Sequence, residues 1–196
     1  MGNTDKSLIE AHLRGDKTAF RELVQRHGGS LLGYLVHMTG NRDQAEDIFQ
    51  ETFKRVHEKA DTFAGDHFRN WLFAIATHLA IDSLRRRKRT RFASLNQSID
   101  CGDDDCRDLS TLAVVEDTCD PVDEAAKSEQ KAKVRQAIDS LPAKQRAALV
   151  LAYYQQLSYS QVAQVLGCSV GTVKTQMYRA LRRLADKLPE SLGAVK

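Results

Sequence analysis

Residues 158–184 read SYSQVAQVLGCSVGTVKTQMYRALRRL, two apolar-periodic runs separated by Gly167, Cys168 and Ser169. Ser160 stands where it can cap a short helix bearing Val162, Ala163, Val165 and Leu166, and Gly167 supplies the left-handed backbone that ends it. Ser169 then caps a second helix with Val173, Met177, Leu181 and Leu184 turned inward. The pattern is a helix-turn-helix. Its second helix is built for a DNA major groove, with residues near its start at base edges and later basic groups at phosphates. Thr172, Lys174, Thr175, Gln176, Arg179 and Arg182 are the candidate DNA contacts. The plainer reading is a helical hairpin with a solvated basic face. Ala163, the turn glycine, the inward Val173 and the surrounding charge favour DNA. Cys168 reads as a small turn residue.

The charge is distributed in blocks. Residues 131–196 carry 11 basic and 3 acidic side chains, residues 92–130 carry 2 and 11, and residues 1–91 carry 16 and 12. A formal net charge of +3 therefore hides two basic ends around an acidic middle, an asymmetry that points to a polyanionic partner. At 196 residues with 42% apolar content, the chain can bury one large or two small cores. No apolar run approaches the ~20 residues of a membrane span, and the first residues lack a signal-peptide core, so a cytoplasmic protein without membrane insertion is expected.

Upstream of the helix-turn-helix, apolar residues recur at spacings of three and four, and the chain reads as all-α. Leu23, Val24, Leu31, Leu32, Leu35 and Val36 fit one or two helices with Gly28-Gly29 as a weak point, and Gly40-Asn41 is a stop. From Arg42 to Lys59, Ala45, Ile48, Phe49, Phe53 and Val56 share one face, and Asp47, Gln50, Glu51 and Lys54 form a polar stripe on the other. From Phe68, a stripe of Phe68, Trp71, Leu72, Ile75, Ala76 and Leu79 runs into the basic RRRKRTR of residues 85–91. Trp71 belongs to that stripe as core, whereas Phe73 lies off it. Residues 92–127 show no sustained period and read as an acidic flexible linker. A second helical domain spans 128–188, with Pro142 at a helix start, and 189–196 form a tail. The short remainder after Leu188 leaves no expectation of an added sensory domain.

No enzyme signature accompanies these elements. Asp47 and Glu51 lack the further polar constellation of a catalytic carboxylate pair, and no Walker loop, GxGxxG or HExxH occurs. Cys101, Cys106, Cys119 and Cys168 do not reproduce a paired zinc pattern, so neither a catalytic nor a metal site is expected, and no cofactor.

The chain resembles the extracytoplasmic-function sigma factors of bacterial RNA polymerase, part of the sigma-70 family, over both domains in order. DQAEDIFQETFKRVHEKADTF at 43–63 is similar to the family's core-polymerase-binding helix, with Asp47, Gln50 and Glu51 in its aspartate-x-x-glutamine-glutamate pattern. The resemblance implies that this stripe docks on the clamp helices of the largest polymerase subunit, with Phe49 and Phe53 holding the helix to its own core. FRNWLFAIATHLAIDSLRRRKR at 68–89 is similar to the promoter-melting helix, which implies single-strand contacts from His78, Arg85, Arg86, Arg87 and Lys88. The family commonly has asparagine at the position of His78, where an extruded −10 base is recognised. The second domain is similar to the −35-reading domain through Leu141-Pro142, Arg146, Gly171-Thr172-Val173-Lys174 and Arg179-Ala180, with Gln161-Val162-Ala163 for the usual glutamate-isoleucine-alanine and Leu181 for a frequent arginine.

Residues 1–91 are thus expected to bind core polymerase and open the −10 element, and 128–188 to read the −35 element. The resemblance further implies an anti-sigma factor as partner and a linker that follows polymerase's nucleic-acid path. Two alternatives stay open at this point. A stand-alone helix-turn-helix regulator would bind duplex operator without polymerase. A thiol- or metal-dependent enzyme or sensor would purify with stoichiometric zinc or lose activity when Cys101, Cys106 and Cys119 are replaced.

Overall fold

The computed structural model describes residues 4–65, 67–95 and 121–188. Among them are eight α-helices, one 3-10 turn at Ala60–Thr62 and no strand: α1 (Asp5–Leu13), α2 (Lys17–Thr39), α3 (Arg42–Glu58), α4 (Phe68–Leu95), α5 (Pro121–Asp139), α6 (Ala143–Tyr153), α7 (Tyr159–Leu166) and α8 (Val170–Lys187). None is long and apolar enough to cross a membrane. Helix enters the 92–127 stretch from both sides, to Leu95 and from Pro121, and 96–120 lie outside the described residues, as do Cys101, Cys106, Cys119 and the 189–196 tail.

Local signals position most boundaries. Asp16 accepts from Thr18 N to start α2, Gly40 ends it in the left-handed region, and Asn41 accepts from Gln44 N to open α3. The helix runs unbroken through Gly28-Gly29, against the expected weak point. A Cβ at Gly28 would stand 3.4 Å from the Phe49 ring, in van der Waals contact, so α2 meets α3 at this point. Helix α1 is not singled out by the sequence pattern. It is nine residues long and buries only Leu8 and Ile9, held by a Thr4 cap and by Asp5, which pairs with Arg26 and His27 of α2.

Helix α4 is the spine. It packs against α2 and α3 on one side and against α6 and α7 on the other, so two of its sides are covered. This reverses the expectation for its aromatics. Phe73 is fully buried with its ring 5.2 Å from that of Tyr34, while Trp71 is only half-buried, at the edge with Phe63 and Phe68. The single Thr77 hydroxyl proton goes to the Phe73 carbonyl, so Tyr34 donates the 2.7 Å bond to Thr77 Oγ1. Burial pushes the Tyr34 phenol far above its ordinary value, keeping it a neutral donor.

Helices α1–α4 and α5–α8 form two bundles whose buried residues make one continuous core. The seam is polar in several places. Arg69 donates to the carbonyl and the side-chain oxygen of Gln155, Gln155 donates to the Ser30 carbonyl, and Asn70 donates to Gln164. The deepest contact is Arg146, which is 6% exposed. Its Nη1 donates to the Met38 carbonyl near the end of α2 and its Nη2 to the Asp139 carbonyl ending α5, with the Asp139 carboxylate 3.2 Å from Nη1. One guanidinium thus caps helices of both bundles.

His37 stacks on Tyr154 across the same seam, ring centroids 4.1 Å apart, and burial followed by the charge of Arg135 holds it below 6.5. His12 is likewise held down by burial and by His57, whose ring nitrogen lies 3.0 Å away. Lowered folded values mean that the unfolded chain binds more protons just below 6.5. Stability from these rings is therefore complete above that pH and is lost as pH falls through their folded values. Urea midpoints should drop between pH 7.5 and 5.5, and His37→Phe, which keeps a ring on Tyr154, should flatten that decline.

Candidate functional site

Three exposed surfaces collect the candidate residues. On α3, Ile48, Thr52, Phe53 and Val56 are buried and Phe49 packs beside them, which turns Asp47 and Gln50 fully outward and leaves Glu51 half-exposed. Glu51 pairs with Arg55 at 3.0 Å and Lys54 at 4.0 Å, contacts weak enough in water to be exchanged for a partner's. The Asp47 carboxylate makes no ion pair within the described chain.

On α4, Trp71, His78 and Arg85 stand seven residues apart and share one face, since seven residues are close to two helical turns. His78 is exposed, with Nδ1 2.7 Å from the Ala74 carbonyl. A carbonyl only accepts, so Nδ1 is the donor in this bond and Nε2 is the ring nitrogen left for an outside partner. Arg85 is exposed beside Asp82 at 3.7 Å. Arg86 and Arg87 are also exposed but lie on another side, in a groove between α3 and α4 that Gln44, Asp47 and Glu51 line from opposite. The basic run therefore divides between two faces. Lys88 lies within α4, and its side chain is outside the described residues.

On the helix-turn-helix, the cap of α7 is Ser158 rather than Ser160. Ser158 accepts from Gln161 N while Gln161 Oε1 accepts from Ser158 N, a reciprocal box that Ser160 has no partner to build. Gly167, at φ 60°, ends α7, and Ser169 accepts from Thr172 N to start α8 as its spacing predicts. Val173, Met177 and Ala180 are buried, Leu184 is half-buried, and Leu181, expected inward, is 51% exposed. Thr172, Thr175, Arg179 and Arg182 fall together on the solvent face, with Gln176 half-buried at its margin. Lys174 is exposed but sits roughly 120° around the helix from that face, on the flank of Tyr178 and Leu181. Thr175 donates to the Gly171 carbonyl and Thr172 meets Ser169 Oγ, which pre-sets both hydroxyls, whereas among the described residues Arg179 and Arg182 make no ion pair.

The pattern of Sigma-70 region 2 matches residues 23–90, and that of Sigma-70, region 4, matches residues 131–184. The RNA polymerase sigma-H factor of Pseudomonas aeruginosa is 33% identical over 189 residues, 96% of this chain and 95% of its own length. The chain belongs to the sigma-70 family. The ECF RNA polymerase sigma factor SigW of Bacillus subtilis, 32% identical over 93% of this chain and 96% of its own, puts it in the extracytoplasmic-function branch. This sigma factor is accordingly a transcription initiation factor and not an enzyme. Its fold is similar to that of CnrH in complex with the cytosolic domain of CnrY (TM-score 0.66, 26% identity, 95% of this chain and 98% of that one). It is also similar to the sigma factor RpoE in complex with the anti-sigma factor NepR from Bartonella quintana (TM-score 0.63, 25% identity, 87% and 97%).

Among the described residues no three His, Cys, Asp or Glu side chains gather as a metal site. Cys168 is half-buried in the turn. Sequence reading alone did not divide the basic run. The signal was there: Ser83, Arg86, Arg87 and Thr90 follow the i, i+3, i+4, i+7 register of one face.

Proposed function

We propose that this sigma factor works in the cytoplasm in three steps, each assigned to one surface. Asp47, Gln50 and Glu51 of α3 dock on core RNA polymerase. Trp71, His78 and Arg85 on one face of α4 receive the melted −10 strand, with Lys88 of the same basic run as a further phosphate contact, and Thr172, Thr175, Arg179 and Arg182 of α8 read duplex −35 DNA, with Lys174 and Gln176 at its flanks. Residues 1–91 and 128–188 act as the two functional domains, joined by the acidic 92–127 stretch. The observation that carries the reading is that each stripe is reachable from solvent: Asp47, Gln50, His78, Arg85, Thr172, Thr175, Arg179 and Arg182 are exposed, and Glu51 and Trp71 are half-exposed. Ring stacking and a dispersed positive charge suit an unpaired strand, whereas a helix face rich in hydroxyls and arginines suits a major groove. His78 uses Nδ1 on the Ala74 carbonyl, which leaves Nε2 as its polar contact for an unpaired base.

An anti-sigma protein is the expected controller, on the analogy of RpoE with NepR. Run-off transcription with purified bacterial core on a promoter library tests the function: promoter-specific transcripts appear only when this chain is added. Folded chain that neither binds core nor yields transcripts, beside a working control sigma factor, would return the stand-alone regulator. Asp47→Ala with Glu51→Ala is expected to weaken core binding about tenfold or more while the thermal midpoint stays within a few degrees, because both side chains face water. A titration of labelled chain with core measures it, and unchanged affinity counts against α3 as the docking helix.

A further inference from the structure

Beyond the α3 stripe, the groove between α3 and α4 offers a second wall. Along it, Asp47 and Glu51 face Arg86, Arg87 and Thr90, with Gln44 donating to Ser83 Oγ at its closed end. Among the described residues no ion pair crosses from one wall to the other. Opposed charges that line one open groove without meeting leave space for something between them. Arg86 and Arg87 also lie roughly 80° and 180° around α4 from His78, off the face that carries Trp71 and Arg85. A strand held on that face would not meet them without wrapping the helix.

We infer that Arg86 and Arg87 belong to the polymerase-docking surface, and that a single polymerase helix seats in this groove, basic side chains toward Asp47 and Glu51 and carboxylates toward Arg86 and Arg87. The inference rests on the docking role given to α3 above and enlarges it from a stripe to a two-walled seat. Its occupant is a protein helix rather than DNA, because a phosphate backbone suits the arginine wall but is repelled by the acidic one, whereas a helix can present one sign on each flank. Ile48 and Leu79, 7% and 6% exposed, close the floor between the two charged walls. The two walls also impose direction. A helix entered the wrong way would bring like charges together on both sides, which costs more than the correct pairing gains at an exposed site.

The test is equilibrium binding of labelled sigma factor to core polymerase with no DNA present. Arg86→Glu with Arg87→Glu should raise the Kd at least tenfold, and Arg86→Glu alone several-fold, while Arg89→Glu, the same single charge reversal on another side of α4, should stay within twofold. Thr90→Trp fills the groove without altering charge and should also raise the Kd several-fold, which decides the matter should the double reversal melt early. Wild-type core affinity in both groove variants overturns the inference, and loss of promoter binding by the assembled holoenzyme under those conditions would return Arg86 and Arg87 to DNA. Asp47→Lys with Glu51→Lys separates the two claims. If that variant binds normally the α3 docking role falls, and if it alone binds weakly only the second wall falls.

Discussion

Arg146→Ala is expected to destabilise the folded chain by about 2–4 kcal/mol, read as a lowered urea midpoint in equilibrium unfolding. Removing one partner of a buried ion pair typically costs about 3–5 kcal/mol because the other is left uncompensated. The lower figure applies here because the Asp139 side chain is 35% exposed and can rehydrate once the arginine is gone. Burial raises the Asp139 carboxyl against the pull of Arg146 and Arg135, so losing Arg146 should raise it further. The carbonyls of Met38 and Asp139 have no such escape, since they lose a donor at the seam between the bundles. Arg146→Lys should recover only part of the loss, because one ammonium cannot serve the two carbonyls in the fork geometry of a guanidinium. A midpoint unchanged in Arg146→Ala would show that the two bundles are held by their apolar contacts alone.

Arg179→Ala with Arg182→Ala is expected to abolish most −35-dependent initiation while leaving core binding intact. A side chain paired bidentately with a base discriminates by about 1–3 kcal/mol, and each lost phosphate contact lowers the salt slope by about one. Two arginines on the same open face therefore stand for a loss on the order of tenfold to several hundredfold in promoter affinity. Their effects can be told apart. A base-reading arginine changes which −35 sequences are preferred, and a phosphate-binding one weakens all sequences alike. Lys174→Ala should cost less than either, because Lys174 projects from the flank rather than from the reading face. Equal promoter binding by the double variant across 50–200 mM salt would remove α8 from the interface.

Much of this architecture was legible before any coordinates. The cap at Ser169, the stop at Gly40-Asn41 and the left-handed end at Gly167 are short-range hydrogen-bonding and backbone events, so nearby residues suffice to locate them, and the cap that Asn41 also gives α3 is an event of the same kind. The outward turn of Asp47, Gln50 and Glu51 followed from the apolar face opposite them, for the same reason. Ser160 misled because a serine before an apolar run is a cap only if its hydroxyl reaches the right amide, and Gln161 completes the box with Ser158 instead. Helix α1 escaped notice because two buried side chains make too weak a period to separate from coil.

Periodicity ranks residues around one helix, and it assumes that one side is covered. That assumption holds for α3 and fails for α4, where α2 and α3 approach from one side and α6 and α7 from the other. Hence Phe73 is buried and Trp71 stands at an edge, and hence a run of basic residues that is continuous in sequence divides between an open face and a groove. By itself the sequence determined the all-helical class, the order of the elements, the helix-turn-helix and the residue types available for polymerase and DNA, because these depend on contacts a turn or two apart. Only the tertiary structure decided how the two bundles meet across Arg146 and Met38 and that Arg86 and Arg87 share a groove with Asp47 and Glu51, because those residues lie 35 or more positions apart in the chain.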